Sequence, residues 1–239
     1  MPVALAAQLR EGTKKSHTMA ENTGFVSCFL KGVVDKASYR TLVADLFFVY
    51  SAMEEEIGKL RAAGHPVVGP VGFPELNRRE TLEQDLAFYF GDNWRTSVKA
   101  TPAAQDYVAR IHQIAQEQPE LLVGHHYTRY IGDLSGGQIL KNIAQKAMNL
   151  GEHDGLRFYE FEAIPDEKGF KTNYRATLDN LPIDQAVADR IVEEANHAFH
   201  LNMKMFQELE GNLIAAIGKV LFGFLTRRQR TGSTEVLAA

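Results

Sequence analysis

A chain of 239 residues with 45 % hydrophobic content can bury a full core, which excludes an intrinsically disordered protein. A formal net charge of −4 gives no sign of general nucleic-acid binding. The single cysteine, Cys28, excludes an intramolecular disulfide and fits a reducing compartment, the cytoplasm by default.

Helical periodicity runs along the chain, and strand-like alternation is nearly absent. The opening stretch MPVALAAQLREGTKK turns polar too early for a secretory signal, and residues 3–20 read as a first helix, followed by a short second one at 24–33. Asp35 can cap a long run in which Tyr39, Leu42, Val43, Leu46, Tyr50, Met53, Ile57 and Leu60 keep one face until Gly64 and Pro66 stop it. HPVVGPVGFPE is a loop, and Asn77 begins a helix reaching Gly91. Thr101 before Pro102 is an N-cap with proline at the first helical position, opening a helix to about Gln118. A long helix from Glu120 to Leu150 comes next; 151–165 are irregular, 166–180 helical, and Pro182-Ile183-Asp184 starts a final helical region to about Arg228 with a bend near Gly211. Its apolar stretch LIAAIGKVLFGFL at 213–225 is interrupted by Lys219 and falls short of the roughly 20 residues a bilayer requires, so it reads as a buried last helix and not a membrane span, an interfacial helix being the lesser reading. The expected organisation is a single all-α domain over 1–225 with a flexible tail at 226–239.

The segment YTRYIGDLSGGQIL, 127–140, carries three glycines inside a helix. Each costs about 1 kcal/mol relative to alanine, so something must lie against the bare backbone. At about 100° per residue, Arg129, Gly132, Asp133, Gly136 and Gly137 share one broad sector. Tight helix packing is one reading. The ionised pair beside the glycines favours another, a ligand with a flat apolar surface and a polar reacting edge.

On the first helix Arg10, Lys14, His17 and Glu21 form one stripe. Glu21, one turn after His17, can hold one ring nitrogen and leave the other for a metal, while the two cations could hold carboxylates of a bound group. A solvated charged face explains the same stripe. Glu194-Ala-Asn-His197 has the Glu-x-x-His spacing of di-iron bundles, but a second such motif is missing.

The segments EGTKKSHTMAEN (11–22), VYSAMEEEI (49–57), FPELNRRETLEQDLAFYFG (73–91) and ELLVGHHYTRYIGDLSGGQILKNIAQKAM (120–148) closely resemble heme oxygenase. FKTNYRATLDNLP (170–182) and EEANHAFHLNMKMFQELE (193–210) extend the resemblance over residues 5 to 225. It is nearest in form to the soluble, ferredoxin-dependent type of cyanobacteria and algae.

The resemblance implies a single-domain multi-helix bundle with heme b, both substrate and prosthetic group, sandwiched between a proximal and a distal helix. His17 becomes the proximal iron ligand, with Glu21 behind it. Gly132 and Gly136, with Gly137 beside them, let the distal backbone lie against the heme. Asp133 anchors a water network that also involves Tyr50, Tyr127, Thr128 and Arg129. Arg10, Lys14, Lys171 and Arg175 take the propionates, and Phe199, Asn202 and Phe206 line the pocket from the last helix. The implied reaction consumes molecular oxygen and cleaves heme at the α-meso carbon to biliverdin IXα, carbon monoxide and ferrous iron. Reduced ferredoxin is the implied electron donor, and a bilin reductase of phycobilin biosynthesis the implied consumer of product. A non-catalytic heme carrier and a di-iron bundle remain as competing readings.

Overall fold

In the structure, a computed structural model, the backbone is described for residues 3–228 and side-chain surroundings for residues 3–210. Eleven α-helices are joined by short 3-10 turns, and no strand occurs among the described residues. The first predicted helix is two helices, α1 (Leu5–Gly12) and α2 (Lys14–Glu21). The break comes at Thr13, whose hydroxyl donates back to the Leu9 carbonyl at 2.7 Å, a local bond that competes with regular helix. α3 (Gly24–Leu30) follows.

Asp35 caps α4 (Lys36–Ala62) as expected, accepting from the N–H of Ala37 at 2.9 Å and Ser38 at 3.0 Å. All of its predicted apolar stripe is buried except Leu60, which is half-buried. α5 (Arg79–Phe90) starts two residues after Asn77, because Pro74–Leu76 form a 3-10 turn, and it ends at Gly91, where φ is 78°. α6 (Trp94–Ser97) is a single turn. Thr101 caps α7 (Pro102–Glu117), accepting from the Ala104 N–H at 3.3 Å.

The glycine-bearing helix is continuous but not uniform. α8 (Leu122–His126) passes through a π-helical turn at Tyr127–Ile131 into α9 (Gly132–Met148), which stops at left-handed Asn149. α10 (Glu167–Asp179) is capped by Asp166. Asp184 accepts the Val187 N–H at 2.9 Å at the start of α11 (Gln185–Arg228), a helix that continues through Gly211. The expected burial of 213–225 and the tail from 229 onward lie outside the described residues.

The core is one cluster drawing on every helix except α2. α4 packs on α5 and α7, and α11 packs on α1, α2, α3, α7 and α8. Gly124 makes the α8–α11 crossing possible: a Cβ there would sit 2.7 Å from the Ile191 carbonyl and 2.9 Å from the Ala195 nitrogen. With α8 fixed on α11, the helix that continues from it is carried across the molecule opposite α2.

Candidate active site

A cleft of about 720 Å³, counted with its open mouth, lies between α2 and α9. Its walls are largely apolar, with Phe25 and Phe29 from α3, Leu42 and Leu46 from α4, and Phe199 and Phe206 from α11. Phe206 stacks on Phe25 with ring centroids 5.9 Å apart, so the aromatic floor is rigid.

His17 and Glu21 face this cleft from α2. The Glu21 carboxylate is 3.6 Å from His17 Nδ1, which leaves Nε2 as the nitrogen available for an axial bond. The ring is edge-on to Phe199 at 5.8 Å, which limits its rotation. The break at Thr13 turns α2 as a separate short helix, and this places His17 independently of α1.

On the opposite wall stand Arg129, Asp133 and Leu140, one stripe of the distal helix. The π-helical turn ends immediately before Gly132, so it shifts the phase of everything beyond it. Arg129 is 8 % exposed; it donates through Nε to the Tyr50 hydroxyl at 3.1 Å and through its terminal nitrogen to the Asn202 carbonyl oxygen at 2.7 Å. A second terminal nitrogen lies 3.7 Å from Asp133. The Tyr50 hydroxyl donates to the Asp133 carboxyl. Burial pushes the Asp133 carboxyl well above its usual range, which favours its protonated form. Burial also lowers Arg129 from its usual value.

A Cβ built on Gly132 or Gly136 meets nothing within 4 Å, so the bare backbone borders open space. Gly137 differs. It is buried, and a Cβ there would lie 3.4 Å from the Tyr159 ring, in ordinary contact, so Gly137 faces protein and not the open space beside Gly132 and Gly136.

Arg10, Tyr127, Lys171 and Arg175 come together in a neighbouring hollow between α1 and α10. Lys171 is 3.3 Å from Glu167, and Arg10 is 3.0 Å from Glu11. Lys14 is exposed on α2 and does not line that hollow. Tyr127 and Thr128, expected beside Asp133, are not brought there: Tyr127 faces the basic hollow and Thr128 donates to the Ala195 carbonyl at 3.4 Å. At about 100° per residue Tyr127 and Thr128 already lie well over 100° around the helix from Asp133.

Several residues went unread in the sequence. Phe158 and Tyr159 complete the cleft from the 151–165 region. Glu54 accepts from the N–H of Arg78 and Arg79 and from the Tyr130 hydroxyl at 3.2 Å. Glu194 is taken by Arg110 at 2.6 Å and by His125 at 2.8 Å, which leaves the Glu-x-x-His spacing with a structural use. Asp85, buried on α5, could have been found, since it occupies the apolar stripe of its helix.

An imidazole on one wall, side-chain-free helix on the other, an aromatic floor and a basic rim fit a flat iron porphyrin with carboxylate substituents. Fold and cleft together define a helical heme-binding enzyme. The family model for heme oxygenase matches residues 3–208. The chain is 65 % identical over 237 residues to heme oxygenase 1 of Synechocystis sp., covering 99 % of this chain and 97 % of that protein. It is 62 % identical to heme oxygenase 1 of Nostoc sp., covering 98 % of each. The crystal structure of the Synechocystis heme oxygenase-1 in complex with heme superposes with a TM-score of 0.89 at 64 % identity, over 93 % of this chain and 100 % of that one. The chain belongs to the heme oxygenase family. Its activity is oxidative cleavage of heme to biliverdin IXα, carbon monoxide and ferrous iron, with dioxygen and electrons from a reductase. No described helix is long and apolar enough to cross a membrane.

Proposed function

We propose that the residues assembled around the cleft divide the work of this reaction as follows. Heme, when bound, supplies both the iron at which dioxygen is reduced and the ring carbon that is oxidised. His17 would bind the iron through Nε2, with the Glu21 carboxylate 3.6 Å from Nδ1, where its charge favours the ring orientation that leaves Nε2 free. A neutral imidazole gives none of the strong electron push of a thiolate, which disfavours O–O scission. Gly132 and Gly136 keep side chains out of the distal space. Asp133 holds a proton at its carboxyl and passes it through water, while Tyr50 and Arg129 fix that carboxyl and Asn202 fixes Arg129. Arg10, Lys171 and Arg175 would hold the two propionates from the basic hollow, with Tyr127 beside them and Lys14 reaching in from the exposed face of α2, and so set the in-plane rotation that exposes the α carbon. Phe199 and Phe206 close the apolar floor.

The electron donor in this reading is reduced ferredoxin, an acidic protein that Arg10, Lys14, Lys15, Lys168 and Lys171 would attract. The setting is the cytoplasm, and a bilin reductase consumes the biliverdin. The catalytic domain spans 1–225, with 226–239 as tail.

The observation that carries this reading is that His17 and Asp133, far apart in sequence, line one cleft from opposite walls. Hemin, dioxygen and a ferredoxin reducing system test it. Loss of the Soret band with growth of a biliverdin spectrum is expected, faster than with a flavoprotein reductase; a persistent Soret band would mean a carrier.

A further inference from the structure

The turn at 156–160 is held by two buried charges that lie outside the cleft. Asp85, on α5 and 1 % exposed, accepts the backbone N–H of Arg157 at 2.9 Å and of Phe158 at 2.8 Å. Arg78, 4 % exposed, donates to the carbonyls of Phe158, at 3.3 Å, and of Glu160. Its guanidinium lies 3.9 Å from the Phe161 ring centre. Burying such charges carries a large desolvation penalty. Here both are spent on the main chain of one short turn. Burial pushes the Asp85 carboxyl up to about 7 despite the two N–H donors that oppose the shift.

The turn in turn supports the distal wall. Phe158 packs edge-on against Tyr50 at 5.4 Å, and Tyr50 is the donor to Asp133. Tyr159 stands against α9 at Gly137, its ring 3.4 Å from where a Cβ on that residue would lie. The Tyr159 carbonyl accepts from Gln138 at 3.1 Å, and the Glu160 carboxylate meets Lys141 at 2.7 Å. These attachments fall on successive turns of α9, alongside the stripe that faces the cleft.

We propose that Asp85 and Arg78 form a main-chain clamp, and that Asp85 is a positioning residue for ring cleavage, setting how far the distal helix leans over the substrate. It touches no reacting atom and acts only through Phe158 on Tyr50 and Tyr159 on Gly137. The inference rests on the reading of the cleft given above.

The test compares full-length Asp85→Asn with Leu82→Ala, a core truncation on the same helix. Asn keeps one acceptor and turns an NH2 toward the second N–H. Asp85→Asn is expected to bind hemin within about threefold of the parent and keep the histidine-type spectrum, while kcat falls about tenfold at similar KM. The pH midpoint of the ferric heme spectrum is expected to shift by about half a unit or more, and more than one biliverdin isomer to form. Leu82→Ala should lower Tm without moving that midpoint or the isomer pattern. An unmoved midpoint with a single isomer in Asp85→Asn overturns the clamp, as does an equal change in Leu82→Ala. Gln138→Ala, an exposed change that cuts the Tyr159 link, gives the same readout should Asp85→Asn not fold; smaller shifts in the same direction are expected, and their absence also overturns it. The His17 assignment is read from the parent's axial coordination and the clamp from differences between variants, so the two can fail separately.

Discussion

The Tyr50 hydroxyl donates to the Asp133 carboxyl across the gap between α4 and α9, and Arg129 donates to that same hydroxyl at 3.1 Å. Tyr50 therefore relays position between a buried cation and an acid whose burial favours its protonated form. Removing the acid leaves the imidazole and the basic rim intact. Asp133→Ala is expected to bind hemin normally and to divert turnover toward peroxidase-like products, with biliverdin yield reduced about 10²-fold or more. Single-turnover spectra under dioxygen check this, and an undiminished biliverdin yield would refute the proton-holding role.

His17 is the side chain on the proximal wall with a carboxylate set to orient it. For His17→Ala we expect hemin to be retained by the apolar floor and basic rim, without nitrogen coordination and without turnover. Added imidazole should restore both, because the cleft is open at that wall. Electron paramagnetic resonance of the ferric complex reports the axial nitrogen; a spectrum identical to the parent's would assign the ligand elsewhere.

The glycines of this region separate by what stands opposite them. Gly136→Ala adds a methyl to open space and a better helix former, so the heme-free protein should gain up to about 1 kcal/mol. The same methyl enters the space held for the substrate, and turnover should fall. Gly124→Ala drives a methyl into the backbone of α11 and should destabilise by about 1–3 kcal/mol. Urea titration of both heme-free variants, with turnover measured alongside, distinguishes them. A Gly136→Ala protein that is both more stable and fully active would mean that its bare face serves no ligand.

The helices were legible because their signals are local. The Asp35 cap, the Thr101-Pro102 start and the apolar stripe of α4 are each fixed by a few neighbouring residues. His17, Asp133 and the glycines are singled out by an extended resemblance; the residue pattern alone leaves a solvated face open for the His17 stripe, and for the glycines only the neighbouring ion pair favours a ligand over tight packing. The π-helical turn was not legible, since each residue from Tyr127 to Ile131 also suits an ordinary helix, and the extra residue per turn is decided by what α11 and α4 place against it. Within LEQDLAFYF, Asp85 lies on the same face as buried Leu82, Leu86 and Tyr89. A charge within an apolar stripe was the missed signal.

Glu194 meets Arg110 and His125 near the middle of the helical core. Burial works against its charge, but hydrogen bonds from His125 and Arg110 outweigh that and bring the carboxyl down to about 2. Glu194→Gln leaves a half-buried guanidinium without its counter-charge and is expected to cost about 2 kcal/mol at pH 7. Denaturant titration measures the loss. An iron assay on the heme-free parent completes the test: two tightly bound irons would overturn the structural role assigned to this carboxylate.

His126 is 2 % exposed, shares a 2.8 Å hydrogen bond with the Tyr174 hydroxyl, and is pushed by burial down to about 3. In the unfolded chain the ring titrates near about 6.5. Below that pH the unfolded state takes up a proton that the native state refuses, so the stabilisation is complete above about 6.5 and is lost as pH falls toward 3. Asp85, raised to about 7, and Asp45, raised to about 6, act in the opposite sense, because the native state takes up their protons first. The parent's pH profile alone therefore mixes both signs. Subtracting a His126→Asn variant removes one proton from the balance and leaves the carboxylates unchanged. The parent should lose up to about 1.4 kcal/mol per pH unit more than the variant between pH 6 and pH 4. Urea titrations at several pH values in that window decide the matter: parallel stability curves would mean that the native ring accepts the proton, and that the packing of Tyr174 over it admits water.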